Sequence, residues 1–516
     1  MVRSVLSILE AFPFELRENA TTADSTDSKG SASHQDKGAL AQVKSSIIPT
    51  LLDHLDQDAK AEDHVRLPIA MGVVYIVRKL PAEDQSPIVV NLFRSLSNIL
   101  KAKAQETRDI AREMVLKVQA ALSPSYLPVL VREMHKTLTR GTQKATLAYV
   151  VHAILVQFES GASDTALQSN VVKEIAVVAL EDLFGLVAED RITAAGKHKA
   201  REMKQSKSLD TVELLGRCSS PRALRSIFET LEKALCTELR EVHTTPEQVF
   251  KRLSVGLSAN AHLDKSASLS LAHSLITQRF STTELNDSEE KSVELPTVLR
   301  KRKEIETKDA SRRILSGQHA NNFTRLGLDF LAHNVRKGRY DFREADDLSK
   351  LDALVGPVGN TLHASESTTN ASGLRLLAEL AKAKLPSIRA GSGLLMKQIM
   401  SIIQRSGGLQ GDLSLNALKA LSALLRELPG TKLMDKDFAL LMEWTFSEIE
   451  EPAVQSTLFA FLRVLLSSKV MSPALYDTMD NVAHIMITNQ SAQVREACRS
   501  LFLQFLLDYP QGKGRL

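Results

Sequence analysis

The sequence predicts an all-α chain, a HEAT- or armadillo-like solenoid of stacked helical hairpins, and three observations predict it. Apolar residues recur at helical spacing in segments of about 12 to 20 residues, parted by short Pro, Gly or Ser turns. Aromatic residues make up only 5% of the chain, and the remaining apolar mass is Leu, Ala, Val and Ile, which favours helix-on-helix packing over a β-sandwich or barrel. A motif also returns in the C-terminal third: Asp412 to Leu418, Glu451 to Thr457 and Ser491 to Ala497, whose apolar Leu415, Val454 and Val494 lie 39 and 40 residues apart. HEAT and armadillo units repeat at roughly 40 to 47 residues, because one hairpin cannot bury its apolar face alone. An ordinary helical bundle is the alternative, and the recurring period weighs against it.

The elements follow in order. Met1 to Leu16 carries one early arginine and then Glu10 and Glu15, which interrupt an apolar run too short for a secretory signal; it reads as a helix fragment. Residues 21–38 are Ser, Thr, Asp, Gly and Lys without an apolar period, so 1–38 is expected to be a short helix plus a polar linker. Residues 39–280 form a first HEAT-like array. In it Ile88, Leu92, Leu96, Ile99 and Leu100 share one helix face, Ile110, Met114, Val115 and Val118 the next, and Tyr126 to Leu138 with Thr146 to Phe158 form another pair. Residues 281–372 read as a basic and polar middle region with irregular helices, opened by Ser281 to Lys291 and closed by the Gly-, Ser-, Thr- and Asn-rich stretch from Gly356 to Ser372. Residues 373–516 form a C-terminal HEAT-like array.

Composition and motifs exclude several classes. Hydrophobic residues at 43% and charged residues at 24% are those of a folded chain, and no run reaches the ~18 apolar residues that a membrane helix needs. Cys218, Cys236 and Cys498 form neither a disulfide framework nor a paired zinc motif, so buried structural thiols in a reducing compartment are expected. The sequence holds no phosphate loop, no His-Glu-x-x-His, no Gly-x-Ser-x-Gly and no kinase His-Arg-Asp run. Gly391-Ser392-Gly393 lacks the third glycine of a dinucleotide fingerprint and reads as a turn before a helix from Leu394 to Ile403. His135 and His152 each stand alone on an amphipathic helix and read as hydrogen-bonded structural histidines. No catalytic residue, cofactor or metal is expected.

The formal charge of +4 is small, and its distribution says more. The segment from Lys197 to Lys207 holds Lys197, Lys199, Arg201, Lys204 and Lys207 against one acid, Glu202; the tract from Arg300 to Arg313 holds Arg300, Lys301, Arg302, Lys303, Lys308, Arg312 and Arg313 against three acids. Each carries +4, so the rest of the chain is mildly acidic. Such clusters neutralise phosphates without reading bases, and the scarcity of aromatics disfavours base stacking, so any RNA contact is expected to be to the backbone. Solvated surface is the alternative for each cluster. Arg300-Lys301-Arg302-Lys303 also fits a nuclear-import signal.

A series of motifs, in order, carries a resemblance. These are Thr107-Arg108-Asp109-Ile110-Ala111-Arg112, Leu138 to Gln143 leading to Tyr149-Val150-Val151-His152, Glu181-Asp182-Leu183-Phe184-Gly185, Lys204 to Asp210, and Phe505 to Pro510. The series resembles the "down-regulated in metastasis" family, very large HEAT-repeat proteins associated with the U-three small nucleolar RNA in the small-subunit processome. The resemblance implies a non-catalytic nucleolar scaffold in pre-ribosomal RNA processing and small-subunit biogenesis. Its implied partners are pre-ribosomal RNA, a small nucleolar ribonucleoprotein and ribosome-assembly proteins, with no membrane and no small-molecule substrate. The family's basic segment corresponds to Lys199 to Lys207. Family members are several times longer, so a fragment or truncated gene model is expected, with exposed terminal stripes prone to aggregation. Two other readings of the solenoid remain open: a nuclear transport adaptor, and the regulatory array of an enzyme whose catalytic domain lies elsewhere.

Overall fold

A computed structural model describes residues 41–56, 67–161, 166–185, 187–188, 201–236, 246–287, 321–428 and 433–510. The helix-plus-linker expected at 1–38 lies outside them. The described residues are all-α, with one isolated parallel bridge between Leu167 and Ser219. They divide into two compact units at His262 and Leu263.

The first unit contains α1 (Ile48–Asp56), α2 (Ile69–Val77), α3 (Ala82–Ile99), α4 (Gln105–Ala121), α5 (Leu127–Thr137) and α6 (Gly141–Ser160). It continues with α7 (Ser169–Phe184), α8 (Arg201–Lys204), α9 (Ser208–Cys218), α10 (Leu224–Cys236) and α11 (Pro246–Ser258). One layer runs α1, α3, α5, α7, α10 and the other α2, α4, α6, α9, α11, each helix packing on its counterpart in the next hairpin. This neighbour-only stacking is the solenoid pattern. The apolar stripes supply its driving force: Leu92, Leu96 and Leu100 on and just after α3 and Val115 and Val118 on α4 are fully or almost fully buried.

Where α9 crosses α11 the helices touch through glycine. A Cβ on Gly256 would lie 2.1 Å from the Glu213 carbonyl oxygen, and one on Gly216 would lie 3.0 Å from the Leu257 nitrogen. Below the crossing, buried Asn260 donates from Nδ2 to the carbonyls of Gly216 and Ser219, both at 2.8 Å, and so satisfies the C-terminal end of α9. Gly256→Ala is therefore expected to destabilise the first unit by about 2 kcal/mol: the helix-propensity gain of up to ~1 kcal/mol is outweighed by an overpacking cost against backbone that cannot rotate away. Denaturant unfolding of the two proteins measures this, and equal midpoints would refute it.

The second unit contains α12 (Lys265–Asp287), α13 (321–336), α14 (Ala345–Thr361), α15 (Ser367–Ala381) and α16 (Pro386–Ser406). After them come α17 (Asp412–Glu427), α18 (Asp435–Glu448), α19 (Pro452–Ser467), α20 (Pro473–Thr488) and α21 (Ala492–Asp508). Helices α12, α14 and α16 stack in one layer, with α18 on α20 in the same fashion, and α15, α17, α19 and α21 stack in the other. The returning motif marks the starts of α17, α19 and α21, which recur at intervals of 40 residues. Proline in the first turn of α16, α19 and α20 fits these starts, where its missing N–H has no intrahelical partner to lose.

Two expectations are corrected. Gly391 to Gly393, expected as a turn before a helix from Leu394, lies inside α16, whose start is set by Pro386. The stretch from Gly356 to Ser372 reads as a polar break, yet it is the end of α14 and the start of α15. Its small polar residues serve close packing: a Cβ on Gly373 would meet Thr361 Oγ1 at 2.6 Å. Thr361 Oγ1 donates to the Val358 carbonyl at 2.7 Å and Asn370 Nδ2 to the Ala364 carbonyl at 3.0 Å, so these two donors are satisfied locally and the stretch resembles a linker in composition only. Just past α21, Tyr509 is buried beside Tyr476 and Phe505 and donates to the Val470 carbonyl at 3.2 Å; burial pushes its phenol up to about 12.

Candidate nucleic-acid interface

Of the basic residues singled out from the sequence, Lys197, Lys199, Arg300, Lys301, Arg302, Lys303, Arg312 and Arg313 lie outside the described residues. Arg201, Lys204 and Lys207 fall within them, at and just after α8, and the surroundings of that short helix are well defined.

Four of the separated motifs converge there. From α4, Arg108 reaches the buried carboxylate of Glu202: Nε lies 3.1 Å from Oε1 and Nη2 lies 3.2 Å from Oε2, a two-armed pair. Arg108 Nη1 also donates to the carbonyls of Ala102 and Lys103, and Gln105 Nε2 donates to Glu202 Oε1 at 3.1 Å. Burial of Glu202 works against ionisation, but the bonds from Arg108 and Gln105 outweigh it and hold the carboxyl below its ordinary range. From α7, buried Asp182 accepts from Ser206 Oγ at 2.7 Å and Ser208 Oγ at 2.6 Å. Met203 packs with Ala145 and Val187. The segment 202–208 is thus clamped at both ends and in the middle.

The rest of the motif series braces this seat. Arg112 on α4 stacks over the Tyr149 ring of α6 at 5.0 Å from the centroid, a cation–π contact between two of the motifs. His152 on α6 meets Thr211 Oγ1 at 3.3 Å, while Thr211 donates to the Lys207 carbonyl at 3.0 Å. Burial pulls the His152 imidazole below its ordinary value, outweighing the Asp210 carboxylate, which acts the other way, while the Lys207 charge adds to the lowering. Glu181, beside Asp182, takes His135 Nε2 at 3.3 Å and Lys144 Nζ at 2.9 Å. The His135 hydrogen bond, then that of Lys144, overcome partial burial and bring its carboxyl down to about 2.

Glu181 makes the stability of the first unit depend on pH. Its folded value lies below the ordinary 4.5, so its stabilising contribution is complete above about pH 4.5 and is lost as pH falls towards 2. Carboxylate titration by NMR is expected to place the Glu181 midpoint near 2, and His135→Phe to move it back towards 4.5. An unchanged midpoint in the variant would show that His135 is not the cause.

The seat leaves the cations in different states. Lys204 is exposed and makes no ion pair among the described residues. Lys207 is half-buried and 3.4 Å from Asp210, at one end of an alternating ladder: Arg252 pairs with Asp210 and Glu213, and Arg217 with Glu213 and Glu159. Three cations meet three anions along that ladder, so of the two described lysines of the segment Lys204 carries the unneutralised charge. Sequence reasoning counted Glu202 only as the lone acid of a basic run and gave Asp182, Ser206 and Ser208 no role. An acid kept inside a basic run is the one local signal of such an anchor. Cys218 and Cys498 are buried free thiols, each raised by burial, Cys218 to about 11. No group of three or more potential metal ligands occurs among the described residues, and no described helix is long and apolar enough to cross a membrane.

The family model for the U3 small nucleolar RNA-associated protein 20 domain matches residues 56–276, which contain the whole seat. The chain is 26% identical over 479 residues to U3 small nucleolar RNA-associated protein 20 of Schizosaccharomyces pombe, covering 92% of this chain and 18% of that protein. It is 26% identical over 492 residues to the protein of the same name in Saccharomyces cerevisiae, covering 92% of this chain and 19% of the relative. The chain spans about a fifth of the length of these curated relatives. Among solved structures it is similar to Kap121p, with a TM-score of 0.45 and 10% identity over 98% of this chain and 46% of that one, and to importin beta, with a TM-score of 0.32 and 13% identity over 98% and 62%. The motif series that resembles the U-three-associated family and the domain match over 56–276 coincide on the Arg108–Glu202 seat, and along most of its length the chain is similar to the U3 small nucleolar RNA-associated protein 20 of two yeasts.

Proposed function

We propose that this chain acts in the nucleolus as a non-catalytic scaffold of the small-subunit processome, in pre-ribosomal RNA processing and small ribosomal subunit biogenesis. Its stacked hairpins hold assembly proteins. Its basic segments at 197–207 and 300–313 touch RNA phosphate, with Lys197, Lys199, Arg201 and Lys204 as the principal contacts of the first and Arg300, Lys301, Arg302, Lys303, Arg312 and Arg313 of the second. The observation that carries the reading is the likeness, along 92% of the chain, to proteins whose names place them with the U3 small nucleolar RNA. The clamped 202–208 segment supports the RNA part, since a scaffold that binds backbone needs its cations held in place, not its bases read.

Ultraviolet crosslinking of the intact protein in cells, followed by sequencing of the bound RNA, tests partner and contact region together. Crosslinks in pre-ribosomal and small nucleolar RNA at peptides spanning 197–207 or 300–313 are expected. Recovery with the small GTPase of nuclear transport, and no such RNA, would replace this reading with that of a transport adaptor.

A further inference from the structure

The second unit carries a groove that the RNA reading does not use. It lies between the end of α17, the start of α18 and the end of α19, closed by the turn at 468–473, and has a volume of about 1100 Å³. Its lining has two characters. Phe438, Val464 and Met471 are apolar, and Met471 is 65% exposed; Arg426, Arg463 and Lys469 are basic, against one acid, Asp435, among the described residues that line it. Arg426 pairs with neighbouring Glu427 at 2.9 Å, whereas Arg463 and Lys469 form no ion pair among the described residues.

The backbone at Lys469 adds a further observation. Helix α19 ends at Ser467, and Lys469 follows in the left-handed region with φ 53°. Glycine adopts that conformation freely and is the common residue just past a helix, while lysine adopts it at a cost. A strained position that places an unpaired ammonium on a groove is worth a functional reading.

We infer that this groove binds an acidic peptide with apolar anchors, supplied by a partner protein. Carboxylates of such a peptide meet Arg463 and Lys469, with the guanidinium able to take a carboxylate on two arms. Leucine or phenylalanine side chains of the same peptide cover Met471 and reach towards Phe438, methionine being a side chain that adapts to varied apolar surfaces. An RNA strand would satisfy the cations and leave the apolar wall wet, so the mixed lining favours the peptide. The inference is independent of the RNA reading: it rests in the other unit and on none of its cations.

The test uses the full chain and a fluorescein-labelled peptide alternating glutamate with leucine and phenylalanine, read by fluorescence anisotropy. Saturable binding is expected, weakened about tenfold in Arg463→Glu/Lys469→Glu and weakened by added salt, since rim charges steer and orient more than they bury. Lys469→Gly keeps the turn and relieves the strained backbone, so it is expected to leave the melting temperature equal or higher while weakening the peptide. A glutamine-for-glutamate peptide and plain polyglutamate are each expected to bind far less well than the mixed one. Undiminished binding by Lys469→Gly, equal binding of either control peptide, or equally effective competition by polyuridylate would overturn the inference.

Discussion

Arg108→Ala is expected to lower the stability of the first unit by about 3–5 kcal/mol, because it leaves the buried Glu202 carboxylate without its counter-charge. The guanidinium side chain is 10% exposed and the carboxylate 3%, so water cannot replace the lost partner. The same arginine satisfies the carbonyls of Ala102 and Lys103 in the turn that enters α4, so those acceptors are orphaned as well. Arg108→Lys is expected to rescue little: an ammonium cannot span Glu202 and two carbonyls from one position. The double variant Arg108→Met/Glu202→Leu removes the buried charge outright and is expected to recover a large part of the loss, though not the part owed to the turn. Thermal unfolding gives the energies. Hydrogen exchange over 201–208 gives the location, since a lost clamp should release that segment while α13 to α21 keep their protection. Unchanged exchange there would mean that Glu202 does not anchor the segment.

Replacing Lys197, Lys199, Arg201, Lys204 and Lys207 together by glutamine is expected to reduce the affinity of the full chain for single-stranded RNA roughly a hundredfold near 0.1 M salt. It should also reduce the steepness of log K against log salt by about 3, at ~0.7 per phosphate contact on a single strand. Lys207 is expected to contribute least because Asp210 already neutralises it. The loss should be the same for RNAs of different sequence, as backbone contacts carry no base information. Circular dichroism should not change, because the clamp is made by Glu202, Asp182, Ser206 and Ser208, none of which is altered. A salt slope identical to that of the unaltered chain would remove 197–207 from the RNA surface and leave 300–313 to account for any binding.

Arg108 is legible in the sequence only as part of the motif from Thr107 to Arg112, and in the fold it holds the carbonyls of the turn before α4. Its partner Glu202 stands 94 residues away as the one acid of a run that reads as basic. Asp182 is similar: its side chain binds Ser206 and Ser208, 24 and 26 residues on, and nothing local distinguishes it from a solvated acid at a helix end. The 40-residue interval between α17, α19 and α21 was legible because repetition is itself a sequence property. Gly356 to Ser372 was misread for the converse reason, since small polar residues at a tight helix–helix approach have the composition of a linker.

The sequence by itself determined the helical class, the hairpin period, the motif series and the two concentrations of positive charge, because helical amphipathicity and charge runs are encoded within a few residues of one another. Only the tertiary structure decided which cations are free and which are spent on buried acids. That depends on which helices the stacking brings together, and an arginine or aspartate has the same letter whether it faces water or a partner a hundred residues distant.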